Sequence, residues 1–324
     1  MPADVVALLR KLYPDGPLPK PFHLVEAATT GRLDHLSPAA KKQAAALANS
    51  PDPVRKALGI EPAFALPDEL AHKTRTQLGR MLVGHLAESA FEEIYKRTIG
   101  ADDLHLEKIT EKHNETDYRV INGSGRQVFR INIKFHGTLF REAKKVVGLE
   151  PEDCFALATY KIKQGLEKHD KEGLPYLFLI VSANIAASEV GDTIPSQIAD
   201  LWTLIASTKG KVEGKKRLED RLVDYLVREP PAEFAAIRSR LIETLAHAKW
   251  RVLSARKAQK VMKDLLFQRV FALTVKNFTR AYSRAEVDMH FSLGSDMMPL
   301  EEFLKQLKSM GHIGMGGLIA DGKI

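Results

Sequence analysis

A chain of 324 residues is long enough for a well-buried core and for two or three packed subdomains, and its 44% hydrophobic and 27% charged residues are ordinary for a globular protein. The 48 Lys and Arg outnumber the 41 Asp and Glu by seven, a moderate surplus that is compatible with a polyanionic partner without demanding one. The single cysteine, Cys154, excludes an internal disulfide and a cysteine-based zinc site, and fits a reducing compartment.

The opening "MPADVVALLRKLYPDG" has an acid at position 4 and no basic segment leading into an apolar core, so no targeting signal is read. The longest apolar stretch, "LPYLFLIVSANIAA", is too short to span a bilayer. A cytoplasmic protein without membrane association is expected. Residues 1–75 read as a helical region punctuated by prolines, with the helices "DVVALLRKLY", "LVEAATTG", "PAAKKQAAALANS" and "PDPVRKALG". No chemistry is legible in them.

Residues 76–190 change character. "QLGRMLVGHLAESAFEEIYKRTIG" repeats apolar residues at helical spacing and stops at Gly100. Three strand-like runs follow, "LHLEKIT", "TDYRVI" and "QVFRINIKF", the last two joined by the turn "NGSG". "PEDCFALATYKIKQGLEKHDKEG" reads as helical throughout, and "LPYLFLIVSA" as a strand buried on both faces. The order is helix, three strands, helix, strand. Residues 191–324 read as a mainly helical region, DNA-binding or dimerising, with strand candidates "FALTVKNF" and "AEVDMHFSL" and most of the positive surplus.

Strand side chains alternate between faces. Phe129, Ile131, Ile133 and Phe135 therefore share the core face of the third strand, and Arg130, Asn132, Lys134 and His136 share the other. In the preceding strand Asp117 and Arg119 fall on one face, and the hairpin brings Asp117, Asn132 and Lys134 together. A carboxylate and an amide oxygen are hard ligands suited to Mg²⁺, and a lysine two residues after the amide points the same way. It can hold or deprotonate a water beside the metal, which is the chemistry of phosphodiester hydrolysis. The bland alternative is a solvated hairpin face carrying ordinary cations.

At these residues the chain resembles the PD-(D/E)xK nucleases, which include many restriction endonucleases. "TDYRV" supplies Asp117, "INIK" supplies Asn132 and Lys134, and the helix "GHLAESAFEE" supplies Glu88, with Glu92 one turn on. Thr116 stands in place of the motif's proline and Asn132 in place of its second acid, where some members carry Asn or Gln. The resemblance spans residues 77–183. It implies an α/β fold with a restriction-endonuclease-like core, a central mixed β-sheet flanked by helices with helical N- and C-terminal additions. It also implies a Mg²⁺-dependent (or Mn²⁺-dependent) DNA endonuclease of the restriction or defence kind, acting on double-stranded DNA as a homodimer and without an organic cofactor. Asp117, Asn132 and Glu88 would hold the metal, and Lys134 would activate the water. Arg119, Arg130, His136, Lys161 and Gln164 are the expected nucleic-acid contacts. Two other readings stand beside it: an inactive nucleic-acid-binding protein on a nuclease core, and a repair or recombination nuclease.

Further motifs were weighed. His85 and Glu88 stand three apart on a helix, but a di-metal bundle needs a second such motif, which the chain lacks. His113 near Asp117 reads as a loop histidine. The glycine-rich "GHIGMGGLIADG" follows a helix instead of a strand, unlike a phosphate-cradling loop.

Overall fold

Helices begin where prolines and capping side chains stand. In the computed structural model, which describes residues 2–61, 67–100, 104–109, 116–137, 139–208, 215–269, 288–310 and 324, the first four are α1 (Pro2–Leu12), α2 (Phe22–Thr30), α3 (Pro38–Ala48) and α4 (Pro53–Ala57). The Ser37 hydroxyl accepts from the Ala40 amide and the Asp52 carboxylate from the Arg55 amide, each with a proline in the first turn, where a missing N–H is harmless. The long α5 (Asp68–Ile99) follows, longer at its start than the sequence pattern indicates.

The strands are β1 (Leu104–Lys108), β2 (Tyr118–Asn122), β3 (Gln127–His136), β4 (Cys154–Ala158), β5 (Tyr176–Ser182), β6 (Lys249–Ser254), β7 (Asp288–Ser292) and β8 (Met298–Pro299). Between and after them lie α6 (Ala143–Val147), α7 (Thr159–Glu172), α8 (Ala187–Asp192), α9 (Ser196–Ser207), α10 (Lys215–Arg228), α11 (Ala232–Ala246), α12 (Ala255–Arg269) and α13 (Leu300–Met310). The fold is α/β, with a six-stranded mixed sheet in the order β1-β2-β3-β5-β6-β8 and a separate β4-β7 ribbon. Only the β3–β5 pair is parallel; every other pairing is antiparallel.

The chain packs as two units, Met1–Leu86 with Ile185–Leu241, and Ala87–Asn184 with Ile242–Ile324. These do not follow the three consecutive segments 1–75, 76–190 and 191–324. The reason is β6, which hydrogen-bonds along β5 and so joins the last part of the chain to the sheet. In the helical unit, Gly79 and Gly191 let α5 and α8 touch backbone to backbone. A Cβ on Gly79 would lie 2.1 Å from the Ala187 carbonyl oxygen, and one on Gly191 2.5 Å from that of Arg75. The Thr74 and Thr203 hydroxyls pair at 2.8 Å in the same buried region.

In the sheet unit, Phe129 and Ile131 share a face with Tyr118 and pack under Phe91 and Phe303, the Phe129 and Phe303 rings meeting edge-on. The opposite face joins Phe178, Ile180 and Leu253 to Ile162 of α7 and Ala258 of α12 in one buried cluster. Both faces of β3 are therefore covered, whereas the sequence pattern pictures one apolar and one polar face. Two further local readings change. Cys154–Ala158, expected as helix, pairs with β7 as a strand, its Cys154, Phe155 and Leu157 buried. The segment "KWRVLS", which falls within the region expected to be mainly helical, is β6. "FALTVKNF", His113 and "GHIGMGGLIADG" lie outside the described residues. Among the described residues no helix is long and apolar enough to cross a membrane.

Candidate active site

The turn Asn122–Gly125 fixes the hairpin. The Asn122 side-chain oxygen accepts from the Ser124 and Arg126 amides at 3.2 and 2.9 Å, and Gly125 adopts the left-handed φ of 77° that a side chain would resist. The resulting register sets Tyr118 opposite Ile131 and Arg119 opposite Arg130. Asp117 then falls beside Asn132, just before β2 begins. Its carboxylate accepts from the Ile133 amide at 2.5 Å, so it is fixed to the β3 backbone between Asn132 and Lys134.

The parallel register with β5 places Asn132 beside Phe178 and Lys134 beside Ile180. Asn132 is 8% exposed. Its side chain hydrogen-bonds the Tyr176 hydroxyl, while its Oδ1 is buried with no hydrogen-bond partner among the described residues, so the amide nitrogen is the donor. Burial pushes the Tyr176 hydroxyl well above the ordinary phenol range, with the Asp117 charge adding to it. Tyr176 therefore stays neutral and orients the amide.

Burial also pushes the Lys134 ammonium below the ordinary lysine value. Asp117 and Glu88 oppose that shift, Lys161 reinforces it, and burial prevails. Asp117, Glu88 and Lys161 thus each stand within electrostatic reach of Lys134. Glu88 also receives Lys108 Nζ at 2.8 Å, whereas the Glu92 carboxylate accepts from the Tyr118 hydroxyl at 2.6 Å. Glu88, not Glu92, is the helix acid that faces Lys134.

The expected nucleic-acid contacts divide. Lys161, half-buried on α7, holds its ammonium 4.9 Å from the Tyr160 ring centre, and Gln164 is exposed one turn on. Arg130 is a correction. It is 8% exposed, its guanidinium donates to both Glu172 oxygens at 2.6 and 2.7 Å and to the Thr116 hydroxyl at 3.0 Å, and it ties the end of α7 to the sheet. Its facing residue Arg119, half-buried, lies close enough to help hold the Glu172 carboxyl below the ordinary range, after Arg130 and Lys168. His136 is half-buried and edge-on to Phe155 at 5.6 Å; burial lowers its pKa, so it is neutral and does not offer a phosphate a charge.

Three participants escaped the sequence reading, Tyr176, Glu172 and Lys108, and Thr116 was read only as standing in place of the motif's proline. Tyr176 opens an otherwise apolar strand, and a hydroxyl among apolar neighbours was the signal available. Glu172 closes α7 beside Gly173 and resembles any solvated helix end; nothing local marked it. His85 sits three residues before Glu88 on α5, and among the described residues no group of three or more His, Cys, Asp and Glu side chains is placed to hold a metal ion. Comparison with protein-family models, with curated proteins and with solved structures found no match.

Proposed function

We propose that this chain is a Mg²⁺-dependent DNA endonuclease with a restriction-endonuclease-like core formed by α5, β1, β2, β3, α7 and β5. The observation that carries the reading is the fixing of Asp117 between the buried Asn132 and the half-buried Lys134, whose ammonium feels the charges of Asp117 and Glu88. A solvated hairpin face would not bury Asn132.

The donor set suits Mg²⁺ in its chemistry. The orphaned, buried Asn132 Oδ1 and the Asp117 carboxylate are hard oxygens, and Mg²⁺ takes few protein ligands and keeps several waters. When bound, the ion would stabilise charge on the scissile phosphate and acidify water. Tyr176 aims the Asn132 amide, and the Ile133 amide aims the Asp117 carboxylate. Lys134, its pKa lowered by burial, orients the attacking water or takes its proton. Glu88 draws Lys108 and tempers the charge near Lys134, while Lys161 and Gln164 meet the substrate backbone from α7. Mn²⁺ would support the same chemistry. A restriction or defence role and a homodimer that cuts both strands belong to the same proposal.

Supercoiled plasmid incubated with Mg²⁺ should be cut, and Lys134→Ala and Asp117→Asn should each remove cutting. Cutting that persists in Lys134→Ala overturns the assignment. The replacement of an acid by Asn132 favours a second reading, an inactive DNA-binding core; it is distinguished by salt-sensitive DNA binding without cleavage in either Mg²⁺ or Mn²⁺.

A further inference from the structure

The helical unit holds a cleft built wholly from residues 10–36, with a volume of about 780 Å³, within the size range of small-ligand pockets. Three pieces of chain form its walls. One is α2, whose His23, Glu26, Ala27 and Thr30 follow the i, i+3, i+4, i+7 spacing of a single helical stripe, while Phe22 and Val25 anchor the helix through its buried side. A second is the end of α1 with the loop through Leu18 and Lys20. The third is the turn carrying Arg32, His35 and Leu36.

The charge in this cleft is one-sided. Glu26 is the only acid lining it, and the Arg10 guanidinium holds both of its oxygens at 2.5 Å. Lys20, Arg32, His23 and His35 then face the cleft with no further acid among the lining residues. His23 Nδ1 is enclosed and has no hydrogen-bond partner among the described residues. Burial, then Lys20 and His35, depress the His23 pKa, with Glu26 opposing, so the ring sits in a field that an anion would relieve. The remaining walls are apolar: Tyr13 and Leu18 are buried, and Pro17, Pro19 and Leu36 complete them.

We infer that this cleft binds a nucleoside phosphate, the phosphate among Lys20, His23, Arg32 and His35 and the nucleoside against the apolar wall at Tyr13 and Leu18. Cations with five or more N–H groups in reach suit a phosphate, and an anion alone would not need the apolar wall. The assignment is independent of the site on β3.

The full-length chain is titrated with ADP at low salt by isothermal calorimetry, with the histidine ring signals followed by NMR. Saturable binding that shifts the His23 and His35 signals is expected, with adenosine binding at least about tenfold more weakly. The doubly reversed variant Lys20→Glu/Arg32→Glu, altered at exposed positions and checked for an unchanged melting curve, should lose binding by about tenfold or more, and Lys20→Arg should retain it. No saturable binding, adenosine binding as tightly as ADP, or ADP binding that survives the double reversal would each overturn the inference. A 5′-phosphorylated trinucleotide that displaces ADP places a nucleic-acid end in the cleft, and one that does not leaves it to free nucleotide; either result supports a nucleoside phosphate site.

Discussion

Lys134→Met should make the sheet unit more stable while removing cleavage. Methionine keeps the unbranched stem and discards the charge. The native state holds a half-buried ammonium whose loss of water outweighs the attraction of Asp117 and Glu88. Those two acids keep other partners when the lysine goes, since Asp117 retains the Ile133 amide and Glu88 retains Lys108. No carboxylate is orphaned, so the gain should be about 1–2 kcal/mol, the burial of one or two apolar groups where the ammonium stood. That corresponds to a rise in melting temperature of roughly 2–8 °C for a unit of this size. The sign with pH follows from the lowered pKa. The native state is penalised at every pH below the folded lysine value, and the penalty fades as pH climbs to the ordinary lysine value. Urea denaturation of both proteins near neutrality and again in alkaline buffer measures this, and the gap should close in the alkaline series. A Lys134→Met protein less stable than the parent at neutral pH would refute the reasoning, because it would make Lys134 a structural counter-ion to its acids.

Gly79→Ala should destabilise the helical unit by about 2 kcal/mol or more, because the new Cβ would strike the Ala187 carbonyl oxygen, a backbone atom that cannot swing away; the urea midpoint reads it. Glu172→Ala strands a buried guanidinium, but Glu172 is partly solvated, so a loss of about 1–2 kcal/mol is expected. Because Arg130 lowers the Glu172 pKa, that difference is present above the ordinary carboxylate range and should vanish as acid titrates the folded carboxyl, which a pH series of melts would show. Gly165→Ala sets a Cβ 2.9 Å from the Tyr176 ring and 3.2 Å from the Ala255 Cβ, so it should displace the ring that orients Asn132 and slow cleavage about tenfold with the far-ultraviolet spectrum unchanged. Asn132→Asp adds a carboxylate and should tighten Mg²⁺ binding, measured by calorimetric titration; unchanged affinity would remove Asn132 from the ligand set.

Local signals sufficed where side chains act on their own backbone. The NGSG turn, the alternation through β3 and the continuous apolar run of β5 each encode their element, and the segments around Asp117, Asn132 and Lys134 meet as the hairpin geometry requires. What misled were residues whose role depends on distant partners. Arg130 resembles an exposed cation until Glu172, 42 positions later, closes on it. "CFALA" has no feature that separates strand from helix until β7 arrives to pair with it, and "KWRVLS" is a short run between two helical stretches until β5 offers an edge. The place of Lys134 beside Asp117 was legible in the alternation, but its lowered pKa comes from packing that no spacing records.

The bond from Asp117 to the Ile133 amide changes how mutants at this position are to be interpreted. β2 starts only at Tyr118, so the carboxylate occupies the place that a strand carbonyl would fill in the next rung of the ladder. Asp117 is thus both a chemical group and a surrogate piece of backbone. An alanine there would unpin β3 as well as remove the proposed metal ligand, so a loss of cleavage would be ambiguous; asparagine, which still offers an oxygen to the amide, separates the two. Position 133 is the mirror case: its side chain can vary among apolar residues without touching the latch, and proline is the one replacement that removes it.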